Sequence, residues 1–265
     1  MGKVLRFSKF RLPMLPRINN SVTLLLSLPF KRPPRNFSKY YLIKKFLLFN
    51  MAPRSPKNLL VRLKLFKSVG ETVRCFESLF APNTFLEFEY EKPSNYIKSC
   101  WEMYKQSDYG QRTSNSLNGN MFEVIVNSLL VREGIMPFYL QAKVAFVPNV
   151  EFDNILYTPK APISLSLKTS LRERYKQADL EAIALKYVHR NAECYLLTLS
   201  QEECNIVNKK IAHGEAIGLT KAILCTSPEF DTFIEELRNK QLELAGNVNI
   251  IESSQIITKD LLPNE

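Results

Sequence analysis

The stretch VEFDNILYTPKAPISLSLKTSLRERYKQADLEA, residues 150–182, decides how the chain is organised. Phe152 to Tyr157 is an apolar run of strand length. Ile163 to Lys168 (ISLSLK) alternates apolar and polar side chains, as a half-buried strand does. Pro159 and Pro162 mark a turn between them, so the two runs pair and carry Asp153 and Lys168 to one sheet edge. A helix is predicted from Arg174 to His189. Gln177 and Glu181 stand four residues apart and share one face of it. Packing that face on the sheet brings Glu181 towards Asp153 and Lys168.

Working outward, Phe122, Val126, Leu129 and Leu130 recur at helical spacing in a helix predicted over Asn120–Glu133, with Gly134 closing it. The polar span GQRTSNSLNGN, 110–120, reads as a loop. Ala142 to Val147, Cys194 to Leu199 and Ala222 to Cys225 read as further strands, and 201–213 and 228–244 as helices. The order α-β-β-β-α-β-α-β-α predicts an α/β fold, a mixed central β-sheet flanked by helices on both faces. The expected divisions are a basic extension over 1–50, a mostly helical part over 51–110, the core over 111–250 and a tail over 251–265.

The chain has 265 residues and a formal charge of +10. Residues 1–50 hold eleven Lys and Arg and no Asp or Glu, which leaves 25 basic against 26 acidic residues in the rest. The whole basic excess therefore belongs to the N-terminus, and the body is nearly neutral. Three readings of 1–50 fit its composition: an organelle-targeting peptide, a flexible basic arm on nucleic acid, or an extension upstream of the working protein, since Met51 opens a stretch of ordinary composition. Its apolar run, Val22 to Phe30, is too short to span a bilayer, so no integral membrane association is expected. The five cysteines lack disulfide or zinc spacing and read as reduced thiols of an intracellular protein. The two histidines lack the partners of a nucleophilic triad or a two-His metal site.

Asp153, Lys168 and Glu181 are the residue types that metal-dependent phosphodiester hydrolysis needs. Two carboxylates hold a hard cation such as Mg²⁺ through oxygen. The cation polarises the phosphate and acidifies water. A lysine beside it orients that water and stabilises developing negative charge. Glu123, on the preceding helix, is a candidate for a second metal position, and Glu151 is an alternative acid to Asp153.

These residues resemble the PD-(D/E)XK nucleases, as found among type II restriction endonucleases. In the usual pattern an Asp is followed by an acid-x-Lys tripeptide; here the tripeptide is Ser166-Leu167-Lys168. The branch cutting CCGG- or CCNGG-type sites shares this departure: a Ser replaces the acid, and a Glu on the next helix, about thirteen residues after the Lys, supplies the carboxylate. Ser166, Lys168 and Glu181 match that displaced-acid pattern, Asp153 matches the first acid, and Glu123, in GNMFE, resembles the group's helix acid. Phe152 stands where the family has Pro.

In the same branch a segment such as Arg-Glu-Arg follows the lysine and enters the major groove; Arg172, Glu173 and Arg174 correspond to it. Arg donates two hydrogen bonds to guanine, and Glu accepts one from cytosine. Arg112 is a further candidate DNA contact. The resemblance covers roughly 115–230. It implies Mg²⁺-dependent cleavage of double-stranded DNA at a short G·C-containing palindrome by a homodimer, with a cognate DNA methyltransferase in the host. Two rivals remain open: a structure-directed repair or recombination nuclease of the same fold, and a non-catalytic DNA-binding protein driven by residues 1–50.

Overall fold

The computed structural model describes residues 58–112, 115–147, 149–246 and 250–261. Residues 1–50, with the three readings given above, lie outside them. The described chain begins with α1 (Leu59–Arg62), α2 (Glu71–Ser78), α3 (Pro93–Gln106), α4 (Asp108–Gln111) and α5 (Asn115–Arg132). It continues with β1 (Phe138–Val144), β2 (Phe152–Tyr157), β3 (Pro162–Lys168), α6 (Arg174–Val188) and β4 (Glu193–Thr198). Then follow α7 (Gln201–Ala212), β5 (Lys221–Leu224), α8 (Pro228–Arg238), β6 (Ile250–Ile257) and a 3₁₀ turn at Lys259–Leu261.

The strands form one sheet in the order β5-β4-β3-β2-β1-β6. β1, β2 and β3 make an antiparallel meander, β4 and β5 add in parallel, and β6 pairs antiparallel with β1. Parallel neighbours require crossovers, which α6 supplies between β3 and β4 and α7 between β4 and β5. The sheet is mixed and flanked by helices on both faces, as the order of elements predicts.

Alternate residues of a strand feed opposite faces, and β4 shows it. Leu197 joins a core with Phe122, Ile125 and Leu129 of α5 and Phe230 of α8, whereas Leu196 joins a second core with Ala182 and Leu185 of α6 and Val207 of α7. A sheet buried on both faces explains why β4 reads as nearly continuous apolar sequence.

Several boundaries differ from the sequence reading, and the helix read over 228–244 ends at Arg238. The polar span 110–120 is mostly helix, because α4 ends within it and α5 starts at Asn115. The start of helix α5, Asn115–Asn120, is polar and buried only at Leu117, so no apolar stripe marks it, whereas the helix from Met121 on is buried nearly all round. At its other end Gly134 adopts φ 66°, and the amides of Gly134 and Ile135 donate to the carbonyls of Val131 (3.1 Å) and Leu130 (2.9 Å). This is a Schellman closure that only a residue without Cβ adopts freely. Residues 251–257, within the expected tail, belong to the edge strand β6, and β1 starts four residues earlier than read, at Phe138. All five cysteines are buried and free. No helix among the described residues is long and apolar enough to cross a membrane.

Candidate active site

The β2–β3 register pairs Asn154 with Leu165, so the next rung sets Asp153 across from Ser166. Asp153 Oδ2 accepts from the Leu167 amide at 2.7 Å and from Lys168 Nζ at 2.8 Å, with Ser166 Oγ at 3.5 Å. The ion pair is mostly sheltered, the Lys168 and Asp153 side chains being 16% and 21% exposed. One carboxylate oxygen thus gathers three donors from adjacent β3 residues. Glu151 is exposed and takes no part in these bonds.

Helix α5 brings the second acid. Asn127 accepts a buried hydrogen bond from Asn154 Nδ2 at 2.6 Å, which ties the helix to β2. Glu123, one turn earlier, faces Asp153 and Lys168 closely enough to feel both. Its carboxyl is pushed up to about 7, by burial first and by Asp153 second, with Lys168 acting against them. Glu123 and Asp153 share the wall of a cavity of about 290 Å³ with Lys67, Asn127, Gln141 and Gln255. Gln141 lies in β1 at φ 46°, a conformation unfavourable for a side-chain-bearing residue.

Glu181 comes from the opposite side. With Asp153, Ser166, Ala178 and Ala182 it lines a small recess between α6 and the sheet. Gln177 Nε2 donates to Glu181 Oε1 at 2.8 Å, across the turn that places both on one face. Burial raises its carboxyl above the ordinary range; Gln177 and Lys168 lower it, and Asp153 raises it. Helix α6 is anchored here by buried Asp179, whose Oδ1 accepts from the amides of Gly218 (2.8 Å) and Leu219 (3.0 Å). The helix backbone lies so close that a Cβ on Gly218 would stand 2.3 Å from the Asp179 carbonyl oxygen.

Asp153 therefore sits between two carboxylates of raised pKa, with one lysine against it. These donors suit a hard divalent cation in kind: carboxylate oxygens from Asp153 and Glu181, and the Ser166 hydroxyl beside them. Among the described residues, no three His, Cys, Asp or Glu side chains are clustered closely enough to form a ready ion cage.

The chain leaving Lys168 runs onto the surface. Leu171 is buried in the α6-side core, while Arg172, Glu173 and Arg174 are exposed. Glu173 forms an ion pair with Lys176 one turn on. Arg112 lies at the end of α4 with its guanidinium 5.5 Å from the Tyr109 ring, and among the described residues it makes none of the contacts around Asp153. Asn127, Gln141 and Glu203 escaped the sequence reading. Asn127 had a signal, four residues after Glu123 on an otherwise apolar helix; the other two depend on contacts distant in sequence.

The sequence matches no protein-family model and no curated protein. Among solved structures it is similar to the restriction endonuclease PspGI in complex with substrate DNA, at a TM-score of 0.40 and 18% identity over 77% of this chain and 81% of that one. It is also similar to metal-depleted Ecl18kI in complex with uncleaved, modified DNA, at a TM-score of 0.35 and 15% identity over 76% of this chain and 83% of that one. These likenesses concern the course of the backbone and leave the chemistry to the residues themselves.

Proposed function

We propose that this chain is a type II restriction endonuclease that cuts both strands of duplex DNA at a short G·C-containing palindrome with Mg²⁺. The observation that carries the reading is the contact of Lys168 Nζ with Asp153 Oδ2 at 2.8 Å, with Glu123 and Glu181 on either side. Asp153 and Glu181 hold the cation, Ser166 supports it, and Glu123 serves a second position. The cation supplies Lewis acidity towards the phosphate. Lys168, held by Asp153, aims its ammonium at a phosphate oxygen and orients the attacking water. Asp153 also accepts the Leu167 amide, so its carboxylate stays put when Lys168 turns to substrate.

Arg172, Glu173 and Arg174 read G·C pairs in the major groove, and Arg112 touches the backbone. A palindrome presents two identical half-sites, so the acting species is a homodimer. The catalytic core spans 111–250 with β6 added, 51–110 is a helical buttress, and residues 1–50 are dispensable for cutting. A methyltransferase of the same specificity protects the host.

The test is conversion of closed circular DNA to the linear form by a 51–265 protein with Mg²⁺, and loss of that conversion in Asp153→Ala. Cutting of branched DNA but not of intact duplex would point to a structure-directed nuclease. Binding without cutting that vanishes with residues 1–50 would point to a non-catalytic DNA-binding protein.

A further inference from the structure

The loop that joins Lys168 to the exposed triplet is held from a third element. Both oxygens of Glu203, in the first turn of α7, are used: Oε2 accepts the Leu171 amide at 2.7 Å and Oε1 the Arg172 amide at 3.1 Å. Two successive amides taken by one carboxylate fix the direction of the chain between them. Arg172 has φ 34°, a left-handed conformation that is unfavourable for a non-glycine residue unless its surroundings enforce it. Nothing in the local sequence calls for it, since no glycine stands at 169–174. Glu203 is itself well placed. Ser200 Oγ accepts the Glu203 amide at 3.4 Å, and the carboxylate sits at a helix N-terminus. Below the loop, Leu171 is 1% exposed. Further along α7, the Lys210 ammonium lies 5.8 Å from the Tyr175 ring at the start of α6.

We infer that Glu203 is a positioning residue: by holding the Leu171 and Arg172 amides it fixes the direction in which the loop presents Arg172, Glu173 and Arg174. Its consequence for DNA, that Glu203 sharpens discrimination between the target and near-target sites, rests on the function proposed above. An arginine gains base specificity only when its two donors arrive in a set plane. A loop free to leave φ 34° lets the guanidinium reach wrong bases and miss the right one more often. Glu203 touches no base and no phosphate in this account, so it shifts the ratio of rates between sites more than the rate at any one of them.

Three measurements test it. In wild type, hydrogen exchange at the Leu171 and Arg172 amides is expected to be at least tenfold slower than at exposed loop amides. In Glu203→Ala, trypsin is expected to cut after Arg172 or Arg174 at least tenfold faster than in wild type, with the melting temperature within a few degrees and Glu203→Gln intermediate. Fast exchange at both wild-type amides, or equal tryptic rates in folded variants, would overturn the inference; the exchange arm needs no variant to fold. On long duplex DNA, Glu203→Gln is expected to yield extra fragments ending at sites one base pair from the target, where a merely structural role would slow all sites alike. Equal slowing at all sites would overturn the specificity claim. Wild-type DNA left whole would overturn the nuclease reading, while exchange and proteolysis still judge the clamp.

Discussion

Lys168 Nζ and Asp153 Oδ2 meet at 2.8 Å across the β2–β3 pair, and Oδ2 keeps a second donor, the Leu167 amide. The second donor separates two roles of the lysine. Lys168→Ala removes a sheltered ion pair but leaves Asp153 hydrogen-bonded, so the stability cost is expected to be modest, about 1–2 kcal/mol. That corresponds to a fall of a few degrees in Tm. Cleavage is expected to fall by a factor of about 10² or more. Thermal melts and single-turnover rates on the same preparation check the pair of expectations.

Glu123 makes stability depend on pH. Its carboxyl titrates near 7 in the folded protein, against the ordinary 4.5. Between those values the folded state binds the extra proton, so stability is fully present below about pH 4.5 and declines as pH rises through 7. A shift of this size corresponds to roughly 3 kcal/mol as an upper figure. Urea midpoints of the metal-free protein across pH 5–8.5 are expected to fall between about pH 5 and 7 and to level off above it, and Glu123→Gln to flatten that fall. An unchanged slope in Glu123→Gln would assign the dependence to another group.

Asp179 is a structural acid two residues from a candidate catalytic one. Asp179→Ala leaves the buried amides of Gly218 and Leu219 without their acceptor, a cost of about 2–4 kcal/mol. Gly218→Ala is expected to destabilise by its clash with the α6 backbone. Both loosen α6 and with it Glu181. Chemical denaturation checks the cost, and a wild-type midpoint for Asp179→Ala would show that the amides find other partners.

Arg172→Ala and Arg174→Ala alter exposed side chains, so folding stability is expected to stay within about 0.5 kcal/mol of wild type. Loss of a bidentate base contact is expected to cost about 1–3 kcal/mol of discrimination at one position. Competition binding with single-base-pair variants measures it. Uniform weakening across sequences would mean that these arginines contact phosphate instead.

Much of the fold was legible in residues 150–182, because there the contacts are local. A hairpin and the following helix are set by alternation, two prolines and helical spacing, and that placed Asp153, Lys168 and Glu181 within one sheet–helix layer. The rest depended on long-range pairing. β6 joins β1 across more than a hundred residues, and its own β-branched run gave no indication of its partner. Glu203 lies about thirty residues beyond the loop it holds, and as one acid in a helix's first turn it is indistinguishable in sequence from a solvated Glu202. Helix α5 was located but truncated, because its start, Asn115–Asn120, is polar and buried only at Leu117 and so carries no apolar periodicity. The net charge of +10 was no guide, since the excess lies within residues 1–50 and the site described here is built from the near-neutral remainder.

The most direct measurement is to digest a long duplex of known sequence with Mg²⁺ and sequence the fragment ends, comparing wild type with Lys168→Ala. The account predicts discrete wild-type fragments whose ends all fall in one short palindrome containing G·C pairs, and intact DNA with the variant. No discrete ends from wild type, or the same ends from both proteins, would contradict it.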